Sequence, residues 1–152
     1  MFHFCIVDSE HDWREGTEQY KFIEKFLASA DRHKQPWLNF AAHRVLGGYS
    51  NSWHVMYYSL IIVLFVSMQN ICVNSETSHF SGIVNGTIHA AAGGGGSHLS
   101  AFADLDTKWS IYKDYDFGFV KLTASIHTSL LFEYKKSRDG KVYDSFTITW
   151  MC

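Results

Sequence analysis

The chain's only proline, Pro36, opens the stretch PWLNFAAHRVLGGYS, which restricts the fold more than any other part of the sequence. Trp37, Leu38, Phe40, Ala41 and Ala42 form a short apolar run between Pro36 and Gly47. That length and those boundaries favour a buried strand over a helix. His43 follows at the strand's C-terminal end, where an α/β sheet presents functional groups to a crevice. A histidine there is either a metal ligand or catalytic group, or a side chain that bonds to nearby backbone.

The segment before this strand completes a βαβ pattern. Phe2–Val7 reads as a strand, and Thr17 as the N-cap of a helix with Glu18 and Gln19 in its first turn. Tyr20, Ile23, Leu27 and Ala30, joined by Phe22 and Phe26, keep helical spacing, while Lys21, Glu24 and Lys25 take the other face. The aromatic stripe is therefore expected to be core, with the helix covering one face of the sheet. The strands on either side of it should run parallel with a right-handed crossover. The intervening loop holds Asp8, Glu10, His11 and Asp12. This set invites a metal reading, but a solvated polar loop is the expectation.

Beyond His43 the composition changes abruptly. No Asp, Glu, Lys or Arg occurs between Arg44 and Glu76, and Val55–Val66 is apolar apart from Ser59. A run of that length is too short for a membrane-spanning helix, which needs about 20 residues, and no Lys or Arg flanks it as an anchor. It reads as a buried strand. Ile83–Ala92 reads as another strand, leading into Gly93–Gly96, whose backbone N–H groups could turn toward a phosphate. The loop lacks the Lys-Ser/Thr of a P-loop, so a flexible turn is the expectation and phosphate contact the alternative. Asn85-Gly86-Thr87 is a glycosylation sequon if the chain is secreted. Phe117–Ala124, Thr128–Lys135 and Val142–Trp150 follow as antiparallel strands, the last two joined through Asp139-Gly140. Phe146, Ile148 and Trp150 fall on one face, and Tyr143, Ser145, Thr147 and Thr149 on the other.

A length of 152 residues suits one domain with a real core, and a formal charge of −2 offers no basic face, so nucleic acid is not an implied partner. Three cysteines, Cys5, Cys72 and Cys152, allow at most one internal pair and lack metal-type spacing. Met1–Val7 carries no basic region of a signal peptide, and opening in a core strand suggests that sequence is missing upstream.

The run DSEHDWREGTEQYKFIEKFLASADRHKQPWLNFAAHRVLGGYSNSW, Asp8–Trp53, closely resembles the later catalytic domain of plant-type purple acid phosphatases, within the calcineurin-like metallophosphoesterases. Phe40-Ala41-Ala42-His43 matches that family's V-x-x-H block. NGTIHAAAGGGGSHLSAF, Asn85–Phe102, and YDFGFVKL, Tyr115–Leu122, are similar to its C-terminal segment. The resemblance divides the chain into a catalytic-domain part at 1–54, a divergent apolar segment at 55–70 and a C-terminal segment at 71–152.

The implied fold class is a mixed α/β, or α+β, remnant. It would be a partial metallophosphoesterase β-sandwich with a βαβ unit at its N-terminal end and antiparallel strands at its C-terminal end. The implied activity is hydrolysis of phosphate monoesters at a dinuclear centre of iron with zinc or manganese. His43 would bind the divalent metal, and Arg44 could face substrate phosphate. The family's G-H-x-H block is absent, and its nearest remnant, Trp53-His54-Val55-Met56, leaves His54 as a weak candidate ligand. The family's Asp, Tyr and Asn ligand blocks are also missing from this sequence. The resemblance thus implies a truncated, inactive portion that does not hold the metals stably, the changed segment suggesting an altered gene model or splice product. A non-catalytic β-rich binding domain is the alternative. No membrane partner is expected, and family members are mostly secreted or vacuolar.

Overall fold

The computed structural model describes residues 1–43, 60–65, 71–74, 82–84, 88–96, 99 and 112–149. Its elements in chain order are β1 (Phe2–Val7), α1 (Glu18–Ala28), β2 (Trp37–Ala42), β3 (Leu60–Phe65), β4 (Ile71–Asn74), β5 (Gly82–Val84), β6 (Ile88–Ala92), β7 (Gly118–Ile126), β8 (Ser129–Lys136) and β9 (Val142–Thr149). Two sheets result. The first has the order β1-β2-β3-β6, and the second β5-β4-β9-β8-β7.

The βαβ unit forms as its sequence suggests. Thr17 caps α1 by accepting a hydrogen bond from the Tyr20 N–H, and Glu18 occupies the first turn, where the helix dipole favours an acid. β1 and β2 pair in parallel from Phe2 opposite Trp37 to Val7 opposite Ala42. The apolar run beyond His43 supplies β3, which lies antiparallel between β2 and β6 with Leu38 opposite Phe65. Being bonded on both sides, β3 explains why its six residues can all be apolar.

The sheets bury their facing sides against each other. Trp37 from β2 joins Leu130 and Phe132 from β8 and Ile148 from β9 in one buried cluster, with Phe2, Val120, Leu122 and Phe146 packed around it. Phe132 and Phe146 stack with ring centroids 4.5 Å apart. Each such side chain contributes about 1.5–3 kcal/mol by leaving water. Alternation along β8 and β9 sends Leu130, Phe132, Phe146 and Ile148 inward and Leu131, Glu133, Ser145 and Thr147 outward, as the period-2 pattern requires. The chain is thus mostly β, a sandwich with antiparallel strands at its C-terminal end.

Three expectations need correction. The aromatic stripe of α1 is not core: no α1 residue is buried, and Phe22 is about half exposed. The helix packs against the edge strand β1, with Phe26 stacked on the His3 ring at 4.2 Å, so only one flank is covered. The strand expected at Ile83–Ala92 is two strands in different sheets, because β5 pairs with β4 whereas β6 pairs with β3. β4 itself went unread, being four residues long and placed by pairing with both β5 and β9. Cys5 is a buried free thiol on β1, pushed up from its ordinary pKa by burial. Among the described residues no helix is long and apolar enough to cross a membrane.

Candidate functional site

His43 follows directly on β2, partly buried, at the C-terminal end of the parallel β1–β2 pair. One register step beyond Val7 and Ala42, Asp8 and His43 lead off the same end of the sheet. Asp8, however, is committed locally. Its carboxylate accepts from the Glu10 N–H at 2.8 Å and pairs with His11 Nδ1, and these two contacts hold it below its ordinary value. Asp12 is clasped by the Arg14 side chain and N–H, which bring its carboxyl down to about 2. Both carboxylates are exposed and tie the loop to itself, as a solvated loop would.

Among the described residues no group of three or more His, Cys, Asp or Glu side chains could hold a metal ion. They do not fit a pair of metal ions, because one imidazole neither offsets the charge of two cations nor fixes their geometry. Arg44, His54 and the sequon residue Asn85 lie outside the described residues.

A second arrangement surrounds the glycine loop. Gly94, Gly95, Gly96, Asp116, Phe117, Ser137 and Arg138 line an open cleft of about 460 Å³. Its floor depends on two close backbone approaches. The Gly118 N–H donates to the Gly94 carbonyl at 3.2 Å, and a Cβ on Gly94 would stand 2.6 Å from Gly118 N. A Cβ on Gly118 would stand 2.6 Å from the Lys135 carbonyl and against the Tyr134 hydroxyl. Only glycine permits both contacts. Gly95 differs, since a Cβ there meets open space.

Charged groups brace the cleft's wall. Lys136, with its side chain 10% exposed, places Nζ 2.8 Å from Asp114 and 3.4 Å from Asp116, and 4.2 Å from the centre of the Tyr143 ring. Arg138 donates to the Tyr143 hydroxyl at 2.6 Å and reaches Asp116 at 3.6 Å. Tyr143 in turn donates to Asp139 at 2.9 Å. Asp114 pushes the Lys136 ammonium up. Burial pushes the Asp114 carboxyl up, but Lys136 and the Tyr112 hydroxyl outweigh it and leave the group below its ordinary value. The β8–β9 turn closes at Gly140, whose φ of 67° suits glycine and whose N–H donates to the Lys136 carbonyl at 2.9 Å.

Gly94 and Gly95 form a turn, the outcome expected of this loop. The Gly94 carbonyl is taken by the Gly118 N–H, and the lining sets the Asp116 carboxylate beside the Arg138 guanidinium. Sequence reasoning missed the network because its members at 112–116, 136–139 and 143 meet only through strand pairing. The Asp-Gly turn was the one local signal.

Residues 86–145 match the family model described as "Iron/zinc purple acid phosphatase-like protein C". Along almost its whole length the chain is similar to a "Nucleotide pyrophosphatase/phosphodiesterase" of Hordeum vulgare, at 52% identity over 97% of this chain and 48% of that protein. It is also similar to "Probable inactive purple acid phosphatase 24" of Arabidopsis thaliana, at 52% identity over 98% of this chain and 29% of the relative. The structure of a purple acid phosphatase from yellow lupin (Lupinus luteus) seeds superposes with a TM-score of 0.70 and 41% identity, over 96% of this chain and 30% of that one. The chain therefore spans about half the length of the barley relative and under a third of the other two. These alignments run over 176 and 180 positions where this chain has 152 residues, so the two curated relatives hold residues that this chain lacks.

Proposed function

Since the chain belongs to the purple acid phosphatase family, we propose that it forms the C-terminal part of a metallophosphoesterase unit without itself hydrolysing phosphate monoesters. Among the described residues its contribution to the family's chemistry is His43, which follows β2 at the C-terminal end of the parallel β1–β2 pair. The place of His43 at the end of β2 is the observation that carries this reading. The donor arithmetic supports the absence of turnover, because a bridged metal pair that activates water needs carboxylates and several fixed ligands. Arg44 would meet substrate phosphate in a complete unit, and His54 remains a weak second donor. Relatives whose names call them inactive accord with an absence of turnover, and a non-catalytic β-rich binding domain is the second reading.

The test is to load the purified chain with iron and zinc. Metal content is then read by elemental analysis, beside a visible spectrum and turnover of p-nitrophenyl phosphate. Substoichiometric metal and no turnover are expected. Two metals per chain, with turnover abolished by His43→Ala, would overturn the proposal.

A further inference from the structure

The cleft under the glycine loop adjoins a row of exposed aromatic side chains. Tyr115, Phe117 and Phe119 stand at alternate positions running into β7, an outer strand of the second sheet, and are 57%, 39% and 49% exposed. Phe119 lies opposite Lys135 on the outward face, Phe117 is tied there by the Ser137 N–H donating to its carbonyl at 2.9 Å, and the Tyr115 hydroxyl donates to the Leu99 carbonyl at 2.8 Å. Of the three only Phe119 lies within β7, and Tyr115 and Phe117 precede it, so the exposed rings follow one another along the approach to that strand. Exposed aromatics gathered in this way mark a recognition surface more often than chance.

The polar groups beside the row narrow the class of ligand. Asp116 offers carboxylate acceptors and Arg138 guanidinium donors, with Ser137 in the same lining. Both charged groups are already oriented, Arg138 by the Tyr143 hydroxyl and Asp116 by Lys136, so little ordering cost remains on binding. Within the lining the Asp116 carboxylate and the Arg138 guanidinium pair at 3.6 Å and offset each other, which favours a neutral ligand over an anion. Adjacent carboxylate and guanidinium groups match vicinal hydroxyls, which need an acceptor and a donor side by side. Aromatic faces match the C–H side of a sugar ring.

From this arrangement we infer that the cleft and the Tyr115–Phe119 row bind a neutral polyhydroxylated chain, an oligosaccharide. One sugar unit enters over Gly95 against the Asp116–Arg138 pair, and the following units lie on Phe117 and Phe119. Gly95 carries no packing duty, since a Cβ there meets open space, so its bareness serves the cleft's mouth. The inference goes beyond the phosphoesterase reading, and its test reads binding rather than turnover.

The experiment titrates the full ¹⁵N-labelled chain with cellohexaose and, separately, mannohexaose, following amide shifts. At least one hexaose should move the amides of Gly95, Phe117, Phe119, Ser137 and Arg138. Phe119→Ala and Gly95→Val, both at exposed positions and each checked for an unchanged melting curve, should weaken that binding about tenfold. Absence of shifts with both hexaoses would overturn the inference, as would equal binding by both variants. It would also fall if inorganic pyrophosphate moved the same amides more strongly, or if sedimentation revealed a dimer that Phe119→Ala dissociates, since the row would then serve an anion or a second copy.

Discussion

The two sheets of this sandwich solve the same burial problem with different means. β7, β8 and β9 follow one another in sequence, pair through short connections, and place Leu130, Phe132 and Ile148 out of water. The first sheet gathers β1, β2, β3 and β6 from across 91 residues of chain, from Phe2 to Ala92, and leaves Phe4 and Ile6 on its outer strand 48% and 72% exposed. Local pairing of β7, β8 and β9 supplies most of the buried cluster, which Trp37 of the first sheet completes. The first sheet depends on partners distant in sequence, and among the described residues α1 is what covers its β1 flank.

The largest expected contrast is between cores. Leu130→Ala, at a site fully removed from water, should cost about 2–5 kcal/mol in urea unfolding, whereas Ile6→Ala should stay within about 0.5 kcal/mol. Comparable losses at the two positions would mean that β1 is as well packed as β8, and the contrast would fail.

A smaller effect should have the opposite sign. Asn39 is fully buried on β2 with its side-chain Nδ2 donating to the Trp37 carbonyl at 3.1 Å, while its own Oδ1 finds no partner among the described residues. Asn39→Leu should therefore stabilise the chain by about 1 kcal/mol, read as a higher urea midpoint at unchanged slope. A loss instead would show that the amide is satisfied and that the first sheet carries no such penalty.

The smallest expected effect concerns acid. Asp114 sits below its ordinary value in the folded chain, so its pairing with Lys136 is present above the unfolded value of 3.8 and fades as pH falls through the lower folded value. In an NMR titration the Lys136 and Tyr112 signals should move only below that point, ahead of any change at Leu130. Movement near neutral pH would assign the network to another group.

How much of this was legible follows the same division. The α1 cap at Thr17, the strand ending at His43 and the hairpin around Asp139-Gly140 were readable because each rests on neighbours within a few residues. The break between β5 and β6 was not, although Asn85-Gly86 is a turn signal, because apolar residues on both sides imitate one continuous strand. The exposure of Phe22 was hidden for a related reason. Helical spacing tells which face is apolar but not how wide a surface awaits it. His43 could be placed from the sequence, whereas the cleft could not, since residues 94–96, 116–117 and 137–138 meet only through strand pairing.

The thiol of Cys5 lies fully out of water on β1, the strand that α1 packs against. Burial keeps it protonated as well as hidden, so a thiol reagent gains the sulfur only when this part of the fold opens. The rate at which that one sulfur is modified is thus a clock for excursions of the first sheet, and under slow chemistry it reports their equilibrium frequency rather than their speed. The hairpins of the second sheet could stay intact throughout, so the molecule carries its own gauge of partial unfolding.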